Sequence, residues 1–278
     1  MVLLDDSRPA HRAGRSLLFC DPERVIVAET LDEVGAALAA MDAALADGLH
    51  LAGWIAYECA AHFEPRLKPQ MTARADEPLI WMMATRTRTE LTPGEAREAF
   101  FNARRGNQHM ATLEIGDSPV SEADYLAALA QVHAYIEAGD VYQINHTFPL
   151  PCRLEGDALA LYERLRASQP VPFGAYIDTG AEHGGHKVLS LSPELFVRRQ
   201  GDRLTGKPMK GTAPRGLTPA DDQTVATELK ADEKSRAENL MIVDLIRNDL
   251  SRISRPGSVK VTGLFETELY PTLWQMTS

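Results

Sequence analysis

Cysteine is scarce in this sequence: Cys20, Cys59 and Cys152 are the three among 278 residues. They lie far apart, without metal-type spacing, which excludes a zinc centre and a disulfide framework; they read as reduced core thiols in a reducing compartment. Positive charge is in deficit as well. With 29 basic against 39 acidic residues the formal charge is -10, which repels phosphate backbones and anionic lipid, so neither nucleic acid nor a membrane surface is an expected partner. No uninterrupted apolar run approaches the length of a membrane span, and the N-terminal "MVLLDDSRPAHRAGR" is charged and lacks an apolar signal core, which predicts a cytoplasmic protein. There is no internal repeat and no βαβ alternation of the doubly wound nucleotide-binding kind. The one stretch with phosphate-loop spacing, "GDRLTGKP", carries Pro208 where a magnesium-binding hydroxyl belongs. His183 and His186 in "HGGH" are accounted for by a glycine turn between strands, and the sequon "NHT" at 145–147 has no meaning without secretion.

What is present is material for a sizeable core, at 44% hydrophobic and 24% charged residues. The first hundred residues alternate "RVIVAE", an Ala/Leu-rich helix over 31–47, "LAGWIAYECA" and "LIWMMATR", a mixed α/β pattern. The polar stretch "ARRGNQHM" at 103–110 marks a boundary, giving an N-terminal portion over 1–112 and a second portion over 113–278. Ser121 caps a helix that Gly139 stops, with Tyr125, Leu126, Leu129, Val132, His133 and Ile136 on its apolar side. "VYQINHTFPL" alternates like a strand, and "DALALYERLRAS" follows as a helix. "PFGAYIDTG", "HKVLSLSPELFVRR" and "RLTGK" read as consecutive strands joined by glycine hairpins, which implies antiparallel pairing. In "TVATELKADEKSRAENLMIVDLIRNDLSRI" a helix is expected to bury Ala237, Leu240, Met241, Leu245 and Ile246. Glu238 then sits at the edge of that stripe, where a carboxylate is costly without a partner; a bound cation would be one.

In this order, "AGDVYQINHTF", "SPELFV", "KPMKGTAPRG", "DEKSRAENLMIVDLIRNDLSRI" and "LYPTLWQMTS" resemble the chorismate-binding enzymes, most closely the branch that makes 4-amino-4-deoxychorismate. The resemblance is strong over 115–278 and looser through "LLDD" and "GWIAYE". It implies an α/β fold of the α+β type, two antiparallel sheets flanked by helices, and an enzyme using chorismate, Mg²⁺ and ammonia from a glutamine amidotransferase partner, for the p-aminobenzoate branch of folate synthesis. Anthranilate synthases and isochorismate or salicylate enzymes are the alternatives within the family, and a non-catalytic module that docks a glutaminase is the alternative outside enzymology.

Carried residue by residue, the resemblance makes Lys210 a nucleophile, because anthranilate synthases typically hold alanine there. A nucleophilic amine must be unprotonated, so burial or a nearby positive charge is expected to lower its pKa from a reference near ~10.4. Lys207 is expected to be solvated or to contact a ligand carboxylate. Glu194 matches the general acid that protonates the departing C4 hydroxyl. Glu238 matches a magnesium ligand, and Gly211 and Thr212 offer N–H and hydroxyl donors to substrate oxygens. Gln275 occupies the position where anthranilate synthases usually carry histidine, which favours an enzyme that stops at the aminated product. The family's later "GSxTGAPK"-like loop and second metal glutamate are not among these residues, so the chain is expected to hold an incomplete metal site, truncated at its C-terminus.

Overall fold

A computed structural model describes residues 1–9, 14–68, 77–103 and 111–278. The stretch at 104–110, where the sequence suggests a boundary, lies outside the described residues. The chain divides into two compact units, one formed by Met1–Ala103 with Tyr162–Ser278, the other by Arg104–Leu161.

In chain order the elements are β1 (Val2–Asp5), β2 (Ser16–Phe19), β3 (Arg24–Ala28), α1 (Val34–Ala46), β4 (His50–Ile55), α2 (Ala60–Phe63), β5 (Ile80–Thr85), β6 (Thr89–Leu91) and α3 (Pro93–Ala103). There follow β7 (Thr112–Ile115), α4 (Glu122–Ala138), β8 (Cys152–Glu155), α5 (Ala158–Ser168), β9 (Phe173–Asp178), β10 (Lys187–Ser192), β11 (Leu195–Gln200), β12 (Arg203–Lys207) and β13 (Met209–Pro214). The last are α6 (Pro219–Ala231), α7 (Glu233–Arg252), β14 (Glu266–Leu269) and β15 (Leu273–Thr277). Every strand pair is antiparallel. This is the mixed α/β class with antiparallel sheets and flanking helices, although the strands fall into more groupings than two: β10-β9-β1-β2-β6, β3-β5-β4, β13-β15-β14, β11-β12 and β7-β8. Among the described residues no helix is long and apolar enough to cross a membrane.

The larger unit is layered around β5, whose six residues are all buried. Alternation along the strand divides them between two faces. Ile80, Met82 and Ala84 join Val34, Ala37 and Ala44 of α1 in one core cluster, while Trp81 and Met83 join Val2, Phe19 and Ile177 of the five-stranded sheet in another. Trp54 stacks on Trp81 with ring centroids 5.3 Å apart. Each such side chain taken fully out of water contributes roughly 1.5–3 kcal/mol. The predicted helix over 31–47 is α1, and "LAGWIAYECA" keeps its strand character only to Ile55 before a 3-10 turn at Tyr57–Cys59.

Two ion pairs tie helices to sheets. Asp5, at the end of β1, accepts two hydrogen bonds from the Arg166 guanidinium of α5, at 2.7 and 2.9 Å, one from Ser16 Oγ at 3.0 Å and one from Tyr162 Oη at 3.2 Å. The Asp5 side chain is wholly buried, and burial together with the Asp5 charge pushes the Tyr162 phenol upward, holding it as a neutral donor. Asp222 of α6 does the same for the three-stranded sheet. It accepts from Arg215 at 2.7 to 3.0 Å, from the Gly216 amide at 2.9 Å and from Trp274 Nε1 at 2.9 Å, and these donors, Arg215 first, hold its carboxyl well below the usual range. Arg215 also donates to the Tyr270 and Pro271 carbonyls.

In the smaller unit Ser121 caps α4 by accepting from the Asp124 amide, and Gly139 ends it at a φ of 77°. None of its residues is buried, and Leu126 and Ile136 of the predicted apolar side are exposed. "VYQINHTFPL" forms no strand. His146 and Phe148 instead make ring contacts with Tyr125 of α4, so side-chain packing replaces a ladder there. Of the three cysteines only Cys59 is buried; Cys152 is exposed rather than in a core.

Removing one partner of a buried pair leaves an uncompensated charge, so Arg166→Met is expected to cost about 3–5 kcal/mol in denaturant unfolding. A loss under about 1 kcal/mol would mean that water reaches Asp5. Asp222 predicts a pH effect. Because its folded pKa is depressed, its contribution is complete above the unfolded value near ~3.9 and disappears as pH falls toward the lower folded value. Wild-type melting temperature is therefore expected to drop on acidification below about pH 4, and Asp222→Asn, less stable at neutral pH, is expected to drop less over the same window.

Candidate functional site

The chain crosses between sheets at two prolines. Pro193 and Glu194 lie between β10, in the five-stranded sheet, and β11; Pro208 alone separates β12, paired with β11, from β13, paired with β15. The two crossings meet, because the Met209 amide donates to Glu194 Oε1 at 3.0 Å. Ser192 Oγ adds 3.3 Å contacts to the Glu194 amide and carbonyl, which fixes the turn. One carboxylate oxygen is thus anchored, and Oε2 has no protein partner among the described residues.

A cleft of about 350 Å³ opens at this junction, lined by Ser192, Glu194, Lys207, Lys210 and, from α7, Ile242 and Ile246, among others. Lys210 is aimed by a bulge. The β13–β15 register shifts between Met209 and Thr212, so Lys210 and Gly211 stand outside the regular ladder. Gly211 has a φ of 85°, and a β-carbon there would come within 2.8 Å of Ser235 Cβ at the start of α7. A glycine is required both by the backbone and by this close approach. Lys210 Nζ makes no hydrogen bond or ion pair with the described residues, whereas Lys207 is ion-paired to Glu268 of β14. Glu268 Oε2 in turn accepts from Tyr270 Oη at 3.4 Å, and burial and the Glu268 charge push that phenol up to about 12.

Of the six residues that the sequence singles out, the fold brings Lys210 and Glu194 into one cleft. Gly211 forms the bulge beside Lys210, and Thr212 is engaged by Gln275, its cross-strand partner, through a 2.9 Å hydrogen bond. Neither Thr212 nor Gln275 lines the cleft. Glu238 stands one turn before Ile242 on α7, half exposed, with Lys234 3.9 Å away. The expected buried stripe of that helix is displaced: Leu240 and Leu245 are half exposed, while Asn239 and Val243 are buried with Ile242, Ile246 and Leu250 beside them. The segment holds two helices, α6 and α7, and Asp232 between them caps α7 by accepting from the Ser235 amide. Among the described residues no three His, Cys, Asp or Glu side chains converge as a metal cage, so Glu238 offers one carboxylate. Lys207, expected from the sequence to be solvated or to contact a ligand carboxylate, lines the cleft ion-paired to Glu268, with Pro208 turning the strand between the two lysines.

A second, larger cleft of about 710 Å³ in the same unit is lined by Arg8, Arg215, Glu268, Tyr270 and Trp274, among others. Its arginines are engaged, Arg8 by Asp6 at 2.7 Å and Arg215 by Asp222.

Comparison with known proteins identifies the family and the fold. The family described as chorismate binding enzyme matches residues 2–278. Aminodeoxychorismate synthase component 1 of Salmonella typhimurium is 40% identical over 161 residues, covering 58% of this chain and 35% of that protein. Anthranilate synthase component 1 of Streptomyces coelicolor is 32% identical over 261 residues, covering 81% of this chain and 50% of that protein. The chain therefore spans half or less of the length of these two relatives. A solved structure from Bacillus anthracis, described as a 2,3-dihydroxybenzoate-specific isochorismate synthase, superposes with a TM-score of 0.67 at 15% identity over 99% of this chain and 65% of that one, which speaks to the fold.

Gly211→Ala tests how the bulge aims Lys210. The strained φ and the Ser235 contact are expected to cost about 1–3 kcal/mol in denaturant unfolding. An unchanged midpoint would mean that α7 does not hold the bulge.

Proposed function

The chain belongs to the chorismate binding enzymes, and from that premise we propose that it aminates chorismate to 4-amino-4-deoxychorismate with Lys210 as nucleophile. The observation that carries this reading is the convergence of an unengaged lysine and an anchored glutamate on one cleft. In the reaction the neutral Lys210 amine adds to ring C2, the double bond shifts, and the C4 hydroxyl departs as water with a proton from Glu194. Ammonia then adds at C4, the shift reverses, and the C2–N bond to Lys210 breaks. The proton that ammonia sheds returns to Glu194, so that chorismate and ammonia give the aminated product and water. Glu194 suits the acid step because Oε1 is fixed by the Met209 amide while Oε2 remains available.

Were Mg²⁺ bound, Glu238, half exposed on α7 one turn before Ile242, would be the carboxylate that holds it together with water and substrate oxygens, and the ion would neutralise a substrate carboxylate. A glutamine amidotransferase subunit is the proposed ammonia source, since the Salmonella typhimurium relative is named as component 1. Anthranilate synthesis is the second reading, favoured by the longer match to the Streptomyces coelicolor protein. Against it stand Lys210 itself and Gln275, whose amide oxygen is occupied by Thr212.

Incubation with chorismate, ammonium and Mg²⁺, followed by chromatography, is expected to yield 4-amino-4-deoxychorismate. Anthranilate as the main product would select the second reading. Glu194→Gln keeps the shape and loses the proton, so turnover is expected to fall about 100-fold or more, and Lys210→Ala is expected to abolish the aminated product. Near-normal turnover in either variant would remove that residue from the mechanism.

A further inference from the structure

We propose that Lys207 is the residue that holds a carboxylate of the substrate in the cleft, with Glu268 as its resident counter-ion; the inference rests on the chorismate reading above. Chorismate brings two carboxylates into a cleft whose lining cations are Lys207 and Lys210. Lys210 must be neutral to act as a nucleophile, and a neutral amine cannot also balance a carboxylate. With Mg²⁺ assigned to one carboxylate, Lys207 is the charge partner that the described lining of the cleft offers to the other.

The surroundings of Lys207 fit this role. Its ammonium is held by Glu268, and the two side chains remain 41% and 33% exposed, so the pair is open to an incoming anion rather than sealed in the core. An ammonium has three donors, and Glu268 does not exhaust them. Glu268 is fixed in turn by Tyr270, whose hydroxyl also lies 3.4 Å from the carbonyl of Pro193, the residue before Glu194. The second cation is thereby held in register with the proton donor.

A purely structural ion pair makes a different prediction. If Lys207 and Glu268 only join β12 to β14, removing either partner has the same consequence. If Lys207 binds substrate and Glu268 competes for it, the two substitutions separate. The test is calorimetric titration of chorismate, with Mg²⁺ present, into Lys210→Ala protein, where no covalent step interferes. Lys207→Gln in that background is expected to weaken binding about 10-fold or more, as for loss of a hydrogen bond to a charged group, and Lys207→Arg is expected to stay within about 3-fold because the charge remains. Glu268→Gln is expected to leave binding equal or tighter. Equal weakening by Lys207→Gln and Glu268→Gln, or no weakening by the former, overturns the proposal while leaving the chorismate reading intact. Absence of chorismate binding by the Lys210→Ala protein itself overturns both. Circular dichroism melts accompany each titration. Should Lys207→Gln fail to fold, Lys207→Arg and Glu268→Gln decide by themselves, since weakening by Glu268→Gln contradicts competition.

Discussion

The site depends on a single backbone hydrogen bond, from the Met209 amide to Glu194. Two strands leave their sheets at neighbouring points, and each departure is made by a proline, which cannot donate to a ladder. Pro193 releases β10 into β11, and Pro208 releases β12 into β13. Leaving a sheet exposes an amide that must be satisfied. Here the first free amide after Pro208 finds a side-chain carboxylate at the other crossing rather than another strand. A demand of backbone chemistry thus places an acid next to a bulge that carries a lysine. Neither residue would reach the other's neighbourhood if either strand continued straight.

The rest of the unit holds those crossings still. α7 packs through Ile242 and Ile246 as the wall of the cleft, and Ser235, at its N-terminal turn, meets the bulge at Gly211. α6 is fixed to the same sheet by Asp222, which engages Arg215 on the strand side and Trp274 on β15. On the far sheet Asp5 performs the same service for α5. Such pairs gain little stability over well-packed apolar residues of equal volume, because desolvation offsets the attraction. Their effect is directional: a bidentate guanidinium on a carboxylate admits one geometry, where apolar contacts would admit several.

Much of this fold is legible in the sequence wherever a local rule acts alone. The cap at Ser121, the stop at Gly139 and the hairpin glycines at Gly184, Gly185 and Gly201, all at positive φ, sit where composition places them. Legibility ends where a tertiary contact outweighs the pattern. The alternation in "VYQINHTFPL" reads as a strand, yet its rings pack on Tyr125. The apolar residues of "AENLMIVDLIRN" suggest a face through Leu240 and Leu245; in the fold those two stay half exposed while Asn239 and Val243 turn inward instead.

The candidate site shows the same limit in chemical form. Two lysines three positions apart look interchangeable in "KPMKGT", and pattern alone cannot rank them. Folding separates them by what each side chain meets: Glu268 claims Lys207, and among the described residues no carboxylate pairs with Lys210. An amine that must stay charged is best given a counter-ion. The proposed division of labour between the two lysines therefore rests on where one glutamate of β14 stands. That position is fixed by the β14–β15 register, which pairs Glu268 with Gln275, far along the chain from the lysines that it tells apart.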